Sequence, residues 1–192
     1  MKLFGKKRAS KGFTLVEMIV VVAIIAIVAA IVLPKLLGNT NAARATLLTR
    51  TSNSIAQAVN LIAMECGVST VVSGSVLPAS GRNMADVLFE GRSAVAPAKQ
   101  ACYDAANVIP MRDSVARSGT GWEVSGFPIT VTGGGGNKFS IAYANVPNEV
   151  VLPAAKPYTA GMTTLAASDT TSDVVNYSVE SAGTRTLTFK LN

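Results

Sequence analysis

Lys11-Gly12-Phe13-Thr14-Leu15-Val16-Glu17, followed without a break by 16 uncharged apolar residues at 18–33, decides how the rest of the chain is read. Residues 13–33 make 21 positions dominated by Val, Ile and Ala. As a helix rising about 1.5 Å per residue they cover roughly 30 Å, the thickness of a bilayer core. Backbone polar groups in lipid find partners only within a helix or a closed barrel, so a membrane-spanning helix is expected here. Glu17 is the exception in this stretch. An ionised carboxylate within an apolar span costs about 2.5–3.5 kcal/mol on insertion scales, so it calls for a partner. Residues 13–33 contain no Lys or Arg. A cut after Gly12 creates a cation, because the new amino group of Phe13 lies four positions from Glu17, on the same helix face. A neighbouring copy can supply that amine equally well, which makes a local charge defect a rule for assembly.

Gly-Phe-Thr-Leu-Val-Glu behind a basic leader, with the apolar run after it, resembles the class III signal of type IV prepilins and the related type II secretion pseudopilins. The resemblance covers about residues 5–60 and is specific: basic leader, Gly-Phe, an acid four residues on, and a closing proline. It implies that a membrane peptidase cuts between Gly12 and Phe13 and methylates the new N-terminus at Phe13. It also makes Phe13 and Glu17 the assembly pair. Pro34 matches the family's helix-kinking proline, and Gly38 lies where related helices loosen. The implied partners are further copies of the chain in a helical homopolymer, the prepilin peptidase/N-methyltransferase, an inner-membrane assembly platform and, where there is an outer membrane, a secretin. The implied location is single-pass in the inner membrane with the head outside, then an extracellular filament. No cofactor or metal is implied.

The charge distribution fits that topology. Of 17 Lys and Arg residues five (Lys2, Lys6, Lys7, Arg8 and Lys11) lie in the leader, leaving 12 against 11 acids. The basicity is thus a positive-inside signal and does not support DNA binding. An ordinary secretory signal carries its apolar region before the cleavage site, whereas here that region follows the cut and is retained.

Five segments are expected: a cleaved leader at 1–12, a membrane and filament-core helix at 13–37, its amphipathic second half at 38–66, a connecting region at 67–120 and a sheet at 121–192. Beyond Pro34, which membrane helices tolerate, Leu48, Ile55, Val59, Ile62 and Cys66 recur at helical spacing and draw one apolar stripe. Gly67 supplies a stop. Residues 67–82 read as a loop. Asn83 caps a short helix ending at Gly91. Residues 93–107 read as a second short helix with Pro97 in its first turn and Val95, Ala98, Cys102 and Ala105 on one face. Strand patterns follow at 122–127, 129–132 and 138–143, then at 174–180 and 184–191 around Ser181-Ala182-Gly183, where Leu187, Phe189 and Leu191 alternate with polar residues. Residues 153–172, rich in Ala, Thr, Ser and Pro, read as a long surface excursion. The expected fold is α+β: a long N-terminal helix packed on an antiparallel sheet of about four or five strands. With an exported head and two cysteines, a Cys66–Cys102 disulfide is the expected pairing, two buried free thiols being the alternative. The bridge departs from the resembled family, where it usually lies nearer the C-terminus.

Catalytic patterns are scarce. With no histidine in the chain, Ser-His-Asp and Cys-His arrangements and His-based metal sites are excluded. Gly133 to Gly136 lacks the Lys-Ser/Thr of a phosphate loop and reads as a hairpin tip. Asp169 and Asp173 lack the dense oxygen pattern of a calcium loop. Trp122, Tyr143, Tyr158 and Tyr177 read as core and rim, and Arg112 and Arg117 alone do not make a phosphate-binding surface. The expected function is a structural subunit, a major pilin. The alternatives are a type II secretion pseudopilin or minor pilin and, remotely, a membrane-tethered enzyme.

Overall fold

The computed structural model describes residues 13–67, 77–119, 121–133, 138–159, 161–169 and 172–191. Gly12 and the rest of the leader, and Gly134 to Gly136, lie outside the described residues. The chain divides into two units, residues 1–40 and 41–192.

Helix α1, Leu15–Cys66, is 52 residues long and keeps Pro34 inside it. In the first unit the side chains of residues 13–35 are all exposed. Among the described residues α1 alone is long and apolar enough to cross a membrane. In the second unit α1 turns one face inward: Ala45, Leu48, Ile55, Val59 and Ile62 are buried and Cys66 packs beside them. Two hydroxyls, Thr51 and Ser52, are buried in the same stripe.

That stripe packs against a six-stranded antiparallel sheet of order β1-β2-β3-β4-β6-β5: β1 Ala116–Ser118, β2 Gly121–Val124, β3 Phe127–Gly133, β4 Phe139–Pro147, β5 Val175–Tyr177 and β6 Thr184–Leu191. Phe139, Ile141 and Tyr143 on β4, with Leu187 and Phe189 on β6, are the buried alternates that meet the helix. Tyr143 pairs with Leu187 and Ile141 with Phe189. The Tyr143 and Phe189 rings meet edge to face at 6.0 Å. Ser125 and Gly126 join β2 to β3, and Ala182 and Gly183 precede β6. All four have positive φ, as two-residue hairpin turns demand.

The sheet has one more strand than the four or five expected. β1 is three residues long and exposed throughout, so no alternating burial marks it in the sequence. β5 is shorter than the expected 174–180. The excursion is shorter too, because α4, Asn148–Ala155, enters it and buries Val150, Val151, Ala154 and Ala155. A turn at Lys156–Tyr158 follows, and Tyr158 packs on Phe189. Pro147 and Pro153 disguise this helix in the sequence.

In the chain between α1 and the first strand comes α2, Met84–Glu90, capped by Asn83 through a reciprocal box with Asp86. It ends at Gly91, where φ is +80° and a Cβ would sit 2.6 Å from Pro110 Cγ, so glycine is required twice over. The helix expected over 93–107 is not continuous. Pro97 holds Ala96 extended, leaving a 3₁₀ turn at Gly91–Ala94, a bridge from Val95 to Pro78, a turn at Pro97–Lys99 and then α3, Gln100–Ala106. The expected inward face is also displaced. Val95 is buried outside the helix, Ala98 and Ala105 are exposed, and Tyr103 and Ala106 face inward.

Candidate functional site

The start of α1 is closed by Thr14. The Thr14 hydroxyl accepts the Glu17 backbone N–H at 3.2 Å and donates to Glu17 Oε2 at 2.8 Å, while the Thr14 N–H donates to the same oxygen at 2.7 Å. The first helical bond runs from the Met18 N–H to the Thr14 carbonyl. Thr14-Leu15-Val16-Glu17 is therefore a capping box, the arrangement that lets an N-cap threonine and a glutamate three residues on satisfy each other's orphan donors. A carboxylate there also faces the positive end of the helix dipole. Beside any cation, Glu17 thus has a partner three residues before it, and Thr-x-x-Glu is the sequence signal for it.

Phe13 precedes the helix and is 78% exposed, immediately before the capping residue. Pro34 and Gly38 both lie within α1. Cys66 and Cys102 are joined by a disulfide, Cα to Cα 5.0 Å, tying the last turn of α1 to α3.

In the head, the polar groups that stand out serve packing. Tyr143 donates to the Leu48 carbonyl at 3.3 Å and shares a 2.9 Å bond with the Ser52 hydroxyl, fastening β4 to α1. Burial raises its pKa well above the ordinary tyrosine value, and the Ser52 bond opposes that shift only in part. Tyr103 is shifted the same way, first by burial and then by the neighbouring Asp104 carboxylate. Arg112 donates to the Glu90 carbonyl, and Arg117 pairs with the Glu90 carboxylate while lying over the Trp122 ring. Both guanidiniums are thus used inside the head. The Trp122 indole donates to Asp86 at 2.9 Å. Asp169 pairs its backbone with Tyr177 and its side chain accepts the Ser172 N–H. Among the described residues no three His, Cys, Asp or Glu side chains converge as a metal site.

Residues 7–33 match the family model of the prokaryotic N-terminal methylation motif. No curated protein and no solved structure matches the chain. The matched segment contains the Gly12-Phe13 junction, the Thr14–Glu17 box and the apolar run. Its second unit sets an apolar helix face on an antiparallel sheet. Residues 7–33 thus carry the class III signal motif shared by type IV pilins and pseudopilins, and the described residues after it form an α+β fold consistent with that of a pilin.

Proposed function

We propose that the chain is a structural subunit, the major pilin, of a type IV pilus. A prepilin peptidase cuts between Gly12 and Phe13 and methylates Phe13. The processed subunit waits single-pass in the inner membrane, head outside, until an assembly platform adds it to an extracellular filament, through a secretin where an outer membrane is present. Polymerisation transfers the apolar surface of residues 13–35 from lipid to neighbouring helices, and Glu17 of the incoming subunit pairs with the Phe13 ammonium of another. The observation that carries this reading is a carboxylate at the head of a helix whose next 18 side chains, up to Lys35, are all exposed and otherwise apolar but for that lysine. An acid is retained in such a segment when it has a task.

The test is Glu17→Ala expressed in its native host. The variant inserts, is cleaved and keeps its disulfide, yet yields no sheared filaments. Filaments at wild-type yield would contradict the reading. The same signal opens type II secretion pseudopilins, and deletion of the gene separates the two: loss of surface fibres marks a pilin, loss of protein secretion with fibres intact a pseudopilin.

A further inference from the structure

Within residues 41–66 of α1, the arc beside the buried stripe is exposed and sets apolar side chains among charged ones. Leu47 is 37% exposed, Leu61 48% and Met64 80%. Arg50 and Glu65 are exposed on the same side. At 100° per residue, Leu47, Arg50, Leu61 and Glu65 fall within an arc of about 60°. Neither Arg50 nor Glu65 takes part in an ion pair among the described residues, where all such pairs lie in the head.

We infer that this arc is the surface by which a second copy of the chain packs, staggered so that Arg50 of one copy meets Glu65 of the next. The inference rests on the filament reading above and adds the register. Copies inserted from one leader topology have parallel helices. At zero offset, parallel copies set Arg50 against Arg50 and Glu65 against Glu65, which repel. An offset of 15 residues, about 22 Å, sets Arg50 against Glu65. Leu47 and Leu61 are 14 residues apart, about 21 Å, so the same stagger brings these two side chains together. Charge and apolar surface thus select one offset, and like charges disfavour the unstaggered alternative.

The test is a charge exchange in the full-length chain. Arg50→Glu and Glu65→Arg each lower the yield of sheared filaments about tenfold, with membrane levels, cleavage and the Cys66–Cys102 bond unchanged, and the Arg50→Glu/Glu65→Arg double variant restores most of it. A second measurement is independent of charge. Leu47→Cys/Leu61→Cys subunits in filaments, treated with a short bifunctional maleimide, give a ladder of linked copies. Single variants that assemble normally, or a double variant no better than either single, together with no ladder, would overturn the register. If the wild-type chain forms filaments while these tests fail, only the register falls. If it forms none, the filament reading falls with it.

Discussion

Glu17 accepts two hydrogen bonds from Thr14 within its own chain, so the acid is satisfied before any other copy arrives. For the proposed assembly this changes the energetics: a Phe13 ammonium from a neighbour would exchange with, or add to, an existing set of bonds and would not meet a bare carboxylate. Tyr143 is the corresponding residue in the head. Its folded pKa is raised by burial, so the folded state keeps the phenolic proton where the unfolded chain, titrating near 10, has lost it. Stability from this group is complete below pH about 10 and falls as pH rises beyond it. Urea titration of the full chain in detergent is expected to give a lower midpoint at pH 11 than at pH 8. Tyr143→Phe, which leaves Ser52 without its partner, is expected to lose about 1–2 kcal/mol at pH 8 and to decline less steeply toward pH 11. An equal decline in both proteins would refute the assignment. Neither residue was fully legible in the sequence. Glu17 stood out as a charge, but its bond to Thr14 is a matter of capping, and Tyr143 looked like core because its reach to Ser52 and Leu48 spans more than 90 residues of chain.

Elements were legible where one period ran long enough. The stripe through Leu48, Ile55, Val59 and Ile62 repeats over several turns, and β6 alternates along its length, so both emerged from pattern alone. Asn83 and Gly91 marked α2 because a capping residue and a positive-φ stop are local chemistry. β1, α4 and the interrupted segment before α3 did not emerge. β1 is held by pairing with β2, α4 is flanked and interrupted by proline, and Pro97 decides by forcing Ala96 out of the helical region what hydropathy cannot show. The segment after α4 is held by the Asp169–Tyr177 backbone pairing and by one buried side chain, Arg185, which is 7% exposed. It donates to Asn148 Oδ1 and to the Ala167 and Ser178 carbonyls, and pairs with Glu180. A sequence offers no sign that an arginine in an alternating strand gathers four acceptors. Arg185→Ala is expected to cost about 2 kcal/mol, since it removes a buried guanidinium and its charge-assisted bonds to acceptors that are themselves only partly buried or exposed. Limited proteolysis is expected to show new cleavage within 161–169 before the rest of the head opens. A change under about 0.5 kcal/mol with no new cleavage would show that the segment is held by other means.

At the scale of the whole molecule, two chemistries are joined in one chain. Residues 13–35 expose apolar surface that water does not tolerate, and residues 41–192 form a domain with its own core, closed by a disulfide. A Cys66–Cys102 bond is the chemistry of an oxidising compartment, and under the proposed topology the Lys and Arg at residues 2–11 stay on the cytoplasmic side. Under the proposed function, processing at Gly12-Phe13 separates the leader from both and exposes the ammonium that the proposal requires. Mass spectrometry of filaments sheared from the cell surface tests that requirement most directly. The predicted result is a chain beginning at Phe13, one methyl group on its amine, with Cys66 and Cys102 bonded. A chain in the filaments still beginning at Met1, with its leader lysines intact, would contradict the account.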